Sequence, residues 1–257
     1  MNFQTNWIAL QTIINKEYVR MTRIWIQTLI PPVITMSLYF IIFGRLVGSR
    51  VGEMGGFDYI QFIVPGLVMM SVITNSYNNV VSSFYSAKFQ KYIEELIISP
   101  VHPAIIVFGF TLGGVLRGLI IGTLVTIVSL LFTTLPIYNI MIIILVVLLT
   151  SFLFSLCGFT NALFAKSFDD ISMVPTFILT PLTYMGGVFY SIDMLPPFWK
   201  TMSAANPILY MVNAFRYGFL GITDINIWIA FGIILVFCVV FFILNVILMI
   251  RGYGIRN

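Results

Sequence analysis

Residues 104–132 read AIIVFGFTLGGVLRGLIIGTLVTIVSLLF and residues 137–165 read IYNIMIIILVVLLTSFLFSLCGFTNALFA, with only Thr133-Thr134-Leu135-Pro136 between them. Arg117 is the one charged residue in the pair. A bilayer core of about 30 Å takes roughly 20 apolar residues as a helix, and each run exceeds that. Backbone in hydrocarbon must satisfy its own hydrogen bonds, so two such runs joined by four residues predict a tight helical hairpin across a membrane.

The rest of the chain agrees with that hairpin. Of 257 residues, 60% are apolar and only 9% are charged, where about 25% charged is usual for soluble domains. Mean hydropathy is +1.03. A soluble fold of this size has too much surface for its volume to hide such a load. The length allows at most about ten spans and leaves no room for a soluble enzymatic domain. The expected fold class is an all-α membrane protein of one transmembrane domain, with six transmembrane segments at 28–46, 59–83, 104–132, 137–165, 171–190 and 226–250.

The connecting pieces carry more pattern than the spans. In residues 1–23, Trp7, Leu10, Ile14, Tyr18 and Met21 fall on one stripe, with Lys16, Arg20 and Arg23 opposite. A basic amphipathic helix with Trp on its apolar side lies in the membrane interface. Residues 84–99 (FYSAKFQKYIEELIIS) predict a second, flat amphipathic helix. Tyr85, Phe89, Tyr92, Ile93 and Leu96 share its apolar face, Lys91 and Glu95 form an i,i+4 pair, and Pro100 and Pro103 end it. Residues 191–224 are too interrupted to cross. Ser191 and Pro196-Pro197 start a short helix, Asn206-Pro207 breaks it, and 208–220 is a 13-residue apolar piece closed by Gly221. This makes 191–224 an external re-entrant segment.

Net charge is +4 and the isoelectric point is near 9.1. The basic residues border apolar runs, which is the pattern that orients a membrane protein and gives no surface for nucleic acid. An even number of spans puts both termini on one side. Lys16, Arg20, Arg23, Lys88, Lys91, Lys166, Arg251 and Arg256 then lie on that side, and Arg45, Arg50, Lys200 and Arg216 on the other. The bias places both termini in the cytoplasm. No cleavable signal peptide is expected, because the first apolar run starts after Arg23 and has no small-x-small site behind it.

Several chemistries find no foothold. Cys157 and Cys238 sit inside apolar runs, where a thiol acts as a small hydrophobe. His102 has no ligand-spaced Cys, Asp or His, so no metal is expected. None of the nine acids lies deep in a span, which argues against a proton- or sodium-coupled carrier. There is no HExxH, no pair of aspartates in spans and no Ser–His pair for an intramembrane protease. Two span features do ask for a role. Arg117 stands thirteen residues past Ala104, about 20 Å down the helix, where a cation costs at least ~2.5–3.5 kcal/mol to insert. Carbonyls of a neighbouring helix, a wet cavity or an anionic substrate would each offset that. Asn75, Asn78 and Asn79 share a helical face in the second span, where they either glue helices or line a cavity. These four residues form a candidate substrate pathway.

Phe62-Ile63-Val64-Pro65-Gly66 resembles the F-x-x-P-G pattern of the ABC-2 type transporter permeases. Ile93-Glu94-Glu95-Leu96-Ile97-Ile98-Ser99-Pro100 resembles that family's cytoplasmic L-E-x-L-x-x-S-P segment, although Lys91-Tyr92 stand where many members have Gly-Thr. Gly186-Gly187-Val188-Phe189-Tyr190-Ser191, Leu195-Pro196-Pro197 and Asn206-Pro207 resemble its C-terminal signature. The resemblance implies a homodimer in a bacterial inner membrane, in which the first and fifth spans approach the two-fold axis. It also implies a separately encoded ATP-binding subunit that carries ATP and Mg, and export of amphipathic or lipid-linked cargo. On this resemblance 84–99 is the coupling helix, with Phe89, Lys91, Glu94 and Glu95 as contact residues for the ATPase and Glu94 as the motif position. No GxxxxGK[ST] occurs in the chain, so no cofactor and no catalytic residue are expected on it. The alternative is an ion-coupled carrier or channel without an ATPase.

Overall fold

A computed structural model describes residues 3–254. Arg256 and the Arg45 side chain, both used above to orient the chain, lie outside the described residues. Helix α1 (Phe3–Arg23) leads into α2 (Trp25–Ile41), which runs on through a π-helical turn at Ile42–Val47 into α3 (Gly48–Val51). A minimal hairpin follows, β1 (Glu53–Met54) against β2 (Phe57–Asp58). Gly55 and Gly56 both take positive φ there, as a two-residue turn of this hand requires. The remaining elements are α4 (Tyr59–Phe89), α5 (Tyr92–Ile98), α6 (Pro103–Ser129), α7 (Ile140–Phe164), α8 (Phe168–Val174), α9 (Thr180–Tyr184), α10 (Pro197–Ala204), α11 (Pro207–Leu220) and α12 (Ile227–Ile250).

Five helices among the described residues are long and apolar enough to cross a membrane: Trp25–Val51, Tyr59–Phe89, Pro103–Ser129, Ile140–Phe164 and Ile227–Ile250. The fifth expected segment, 171–190, is shorter than read. Its helix covers 168–184 as α8, a π turn at Pro175–Leu179, and α9. Pro175 and Pro181 cannot donate to the ladder, and the chain leaves the helix after Tyr184 toward Gly186-Gly187.

Helix α4 is the axis of the bundle, enclosed by α6, α7 and α11. Small residues let its neighbours approach. A Cβ at Gly114 of α6 would meet the Ser155 hydroxyl, Val80 and the Ser76 carbonyl. One at Gly118 would meet the Ser76 and Ser151 hydroxyls. Helices in lipid gain nothing from burying Leu against Leu, so close packing of small residues supplies the contact instead.

Helix α1 is present, but it is turned relative to the expected stripe. Ile13, Glu17 and Met21 are buried, whereas Trp7 and Tyr18 are half exposed. The cause lies on α6, where Gly109 and Gly113 leave a groove. A Cβ at Gly109 would stand 2.8 Å from Ile13, and one at Gly113 2.8 Å from the Glu17 side chain. Arg20, expected on the polar side, therefore turns inward with Glu17.

The helix expected over 84–99 is also corrected. α4 continues without a break through Phe89, and only Tyr92–Ile98 forms the separate helix α5. Lys91 makes the corner at φ 63°, the only non-glycine residue with positive φ among those described. It sits ahead of α5, so no Lys91–Glu95 ion pair forms among the described residues. Lys88, read as a charge on that flat helix, belongs to α4. Its ammonium donates to the carbonyls of Leu163 and Ala165, both at 2.8 Å, and so caps the C-terminal end of α7.

Candidate functional site

The inner faces of α1, α4 and α6 meet around a short polar seam. Asn75 and Asn79 are four residues apart on α4 and nearly buried. Asn75 donates to the Ser71 carbonyl at 2.9 Å, and its own side-chain oxygen accepts from the Arg117 guanidinium of α6 at 3.3 Å. Asn79 sits one turn further on. Its side-chain oxygen accepts from Arg20 at 2.8 Å, and Arg20 also reaches the Asn79 backbone carbonyl at 3.1 Å.

Glu17 anchors the far end of the seam. Its carboxylate accepts from Arg20 at 2.9 Å and from the Ser83 hydroxyl, and its side chain is 1% exposed. The sequence reading places no acid deep in a span; Glu17 reaches the bundle interior sideways, from α1. Helical periodicity could have placed Glu17 and Arg20 together at i,i+3, but nothing in α1 itself announces the glycine groove on α6.

Charge does not balance along the seam. Arg20 and Arg117 bring two cations and Glu17 one anion, which leaves a net positive charge. The Nε–H groups of both Arg20 and Arg117 are buried without a partner. A buried charged donor without an acceptor costs more than an unmade neutral bond, so the seam is short of acceptor oxygens. Of the four residues expected as a pathway, Asn75, Asn79 and Arg117 come together. Asn78 does not join them; it offers its backbone carbonyl to Ser82 at 2.7 Å.

The residues expected to meet an ATPase lie just past the seam, at the C-terminal end of α4. Phe89 is 64% exposed and stacks edge-on to Phe168 at 5.2 Å between ring centres. Ile93 is the buried anchor of α5, while Glu94 and Glu95 are exposed and Ile98 is 86% exposed. Lys16 of α1 lies over the Tyr92 ring at 5.7 Å, and Asn6 accepts from the His102 backbone N–H at 3.3 Å. α5 thus packs against the end of α4, with Lys16 of α1 over its Tyr92 ring and Glu94 and Glu95 outward.

Three of the sequence motifs converge on a third place. Arg216 of α11, read as an outside charge, is 1% exposed. It donates to the Phe62 carbonyl at 3.2 Å and the Gly187 carbonyl at 2.7 Å, and its guanidinium lies 3.8 Å from the centre of the Phe62 ring. Gly66 of α4 admits this turn, since a Cβ there would stand 2.7 Å from the Val188 carbonyl. Asn206 caps α11 through the Ile208 N–H at 3.0 Å and donates to the Leu182 carbonyl at 2.6 Å. The caps read at Ser191 and Gly221 are present, and Asn206, read as a break, also caps α11.

No group of three or more His, Cys, Asp or Glu side chains able to hold a metal occurs among the described residues.

Comparison with known proteins agrees with this arrangement of motifs. The model of the ABC-2 type transporter family matches residues 8–220, from the first turns of α1 to the end of α11. The inner membrane transport permease YadH of Escherichia coli (strain K12) is 57% identical over 251 residues, 98% of each chain, and that of Shigella flexneri matches to the same extent. Nodulation protein J of Rhizobium leguminosarum bv. viciae is 21% identical over 247 residues, 96% of this chain and 94% of its own. With a family match over most of its length and a relative this similar from end to end, the chain is a multi-pass membrane protein that belongs to the ABC-2 type transporter family.

Proposed function

We propose that the chain is the membrane subunit of an ATP-driven exporter in the inner membrane, moving amphipathic or lipid-linked cargo outward. Two copies form the passage, each crosses the membrane six times with both termini in the cytoplasm, and 168–184 serves as the fifth span. ATP and Mg are held by a separate ATP-binding subunit, and this chain hydrolyses nothing. The observation that carries the reading is the acceptor-poor, net-positive seam of Arg20, Asn75, Asn79 and Arg117 inside an apolar bundle. A guanidinium in such a place gains most from a phosphate or carboxylate, which favours cargo with an anionic head group.

Coupling is assigned to α5 with the adjoining end of α4. Phe89, Tyr92 and Ile98 leave an exposed apolar patch beside Glu94 and Glu95, the composition expected of a protein-docking surface. Its end leads through Pro100 and Pro103 straight into α6, the helix that carries Arg117. Dimer contact is assigned to α2 and 168–184, where Ile34, Leu38 and Phe177 are bare. Cysteine crosslinking across 172–186 should then give dimers in a complex that turns over ATP. The ion-coupled alternative would need a free carboxylate in the bundle, and Glu17 is already engaged by Arg20 and Ser83. The test is to co-purify the ATP-binding subunit with this chain and follow ATP turnover in proteoliposomes against candidate cargos. Cargo-stimulated turnover that needs both chains is expected; transport by this chain alone on an ion gradient would replace the reading.

A further inference from the structure

A crevice of about 420 Å³ lies on the side of α4 away from the polar seam, walled by α7, the 168–184 helix, the start of α11 and α12. Tyr77, Cys157, Asn161, Leu182, Ile208 and Phe241 are among its lining, and no charged side chain is. Ile178 and Phe164 on its walls are about half exposed, so the crevice opens sideways between α8–α9 and α12 toward lipid. Tyr77 is 1% exposed and its hydroxyl is buried without a hydrogen-bond partner. Asn161 stands beside it as a donor toward the Tyr77 oxygen and also gives its amide N–H to the Ile171 carbonyl at 3.2 Å, so no acceptor meets the Tyr77 O–H.

We propose that this crevice is a binding site for a neutral, drug-sized amphipathic molecule that enters from the bilayer and places one acceptor oxygen, such as a ketone, amide or ether, on the Tyr77 hydroxyl. The volume falls in the range of small-molecule pockets, and an apolar pocket with a few convergent polar groups, here Tyr77, Thr160 and Asn161, is the usual form of such a site. The absence of charge in the lining disfavours ions, since an ion here would be desolvated with no counter-charge. Tyr77 stands 18 residues from Tyr59 and 12 from Phe89 along α4, so roughly 27 Å and 18 Å of helix separate it from the two ends. A lipid tail in the crevice brings only methylenes and leaves the hydroxyl unmet. The site goes beyond the transport reading: binding needs no ATPase, and its failure leaves the anionic seam and α5 untouched.

Benzophenone tests it directly, because its ketone is both the acceptor and the photoreactive atom. The full chain in nanodiscs of phosphatidylethanolamine and phosphatidylglycerol is irradiated with the probe, and adducts are mapped by peptide mass spectrometry. Adducts are expected in 153–164 and 174–182, well above those on the lipid-facing Val239, Val240 and Ile243 of α12. Tyr77→Phe should lower the yield about three- to tenfold below saturation, the loss of one hydrogen bond. Leu182→Trp, which fills the crevice, should abolish it. If that variant does not fold, Ile178→Trp at the open wall blocks the same entrance. Labelling spread evenly over α12, or unchanged in the Tyr77→Phe and Trp variants, overturns the proposal. So does a diazirine-tailed phosphatidylethanolamine that labels the same peptides and is not displaced by excess benzophenone.

Discussion

Arg216 and Arg117 are both arginines inside an apolar bundle, and their surroundings differ in kind. Arg216 gives two hydrogen bonds to backbone carbonyls and stands 3.8 Å from the centre of the Phe62 ring, with solvent shut out and one terminal nitrogen left unpartnered. Arg117 has one long bond to a side-chain amide, an unpartnered Nε–H and a second guanidinium nearby. Backbone carbonyls and a ring are fixed acceptors, so they hold a cation permanently and let it pin helices together. A flexible amide at 3.3 Å leaves most of the charge unmet, which suits a group that exchanges partners. Capture by neighbouring carbonyls, one of the ways to offset a cation in the bundle, describes Arg216.

The largest effect should come from breaking the closed arginine. Arg216→Ala strands the buried Phe62 and Gly187 carbonyls, at about 1–3 kcal/mol each, and removes the ring contact. The yield of folded protein and its unfolding temperature in detergent should both fall sharply. An unchanged unfolding temperature would mean that the turn at 186–188 is held by something else.

Overpacking the small-residue contact comes next. Gly114→Ala drives a methyl into Ser155 and the Ser76 carbonyl, and such insertions cost about 1–3 kcal/mol. Thermal unfolding checks this, with Gly232→Ala as the control, since nothing lies within 4 Å of a Cβ there. If both glycine variants behave alike, α6 is not as close to α4 and α7 as described.

Glu94→Ala should shift stability by less than ~0.5 kcal/mol, as exposed substitutions do, while weakening association with the ATP-binding subunit in pull-down or uncoupling hydrolysis from transport. Glu95→Ala should do less. Full association and full transport in a Glu94 charge-reversal variant would remove α5 from the coupling role.

The smallest effect sharpens the contrast at a helix start. The Asp170 carboxyl is held below its usual range by the Lys166 amide and by the hydroxyl and amide of Ser167, closing a capping box on α8. A carboxyl depressed in the folded state contributes stability above its unfolded value and loses it as pH falls through the folded one. Protection factors of the Lys166 and Ser167 amides, taken relative to the intrinsic exchange rate at each pH, should therefore stay constant from about pH 7 to 5 and fall only below roughly pH 4. Asp170→Asn should lower them at every pH.

Length and hydropathy are enough to read the long helices, and local chemistry is enough for the caps at Ser191 and Gly221. What escapes reading has a common physical origin. In lipid the outward face of a helix is apolar too, so hydrophobic periodicity no longer tells inside from outside, and the buried face of α1 lies about one position round from its apolar stripe. Glu17 and Arg20 cannot be read as interior groups because Gly109 and Gly113, nearly a hundred residues away, create their place. The break at Lys91 has no glycine or proline to mark it, so the pattern ends α4 six residues early and puts Phe89 and Lys88 on the wrong helix. Arg216 follows from neither pattern, since only the fold brings Phe62 and Gly187 to it.

The central claim is that one interior arginine is built for cargo and the other for structure. It is tested most directly by measuring transport and cargo-stimulated ATP turnover per folded complex for Arg117→Ala and Arg216→Ala side by side, using an anionic amphipath in proteoliposomes. The account predicts near-normal yield with transport down about tenfold or more for Arg117→Ala, as expected when a charged contact is lost. For Arg216→Ala it predicts low yield but near-normal turnover in the molecules that fold. Poor folding of Arg117→Ala with normal specific activity would contradict it, and Arg117 would then be a structural arginine like its counterpart in α11.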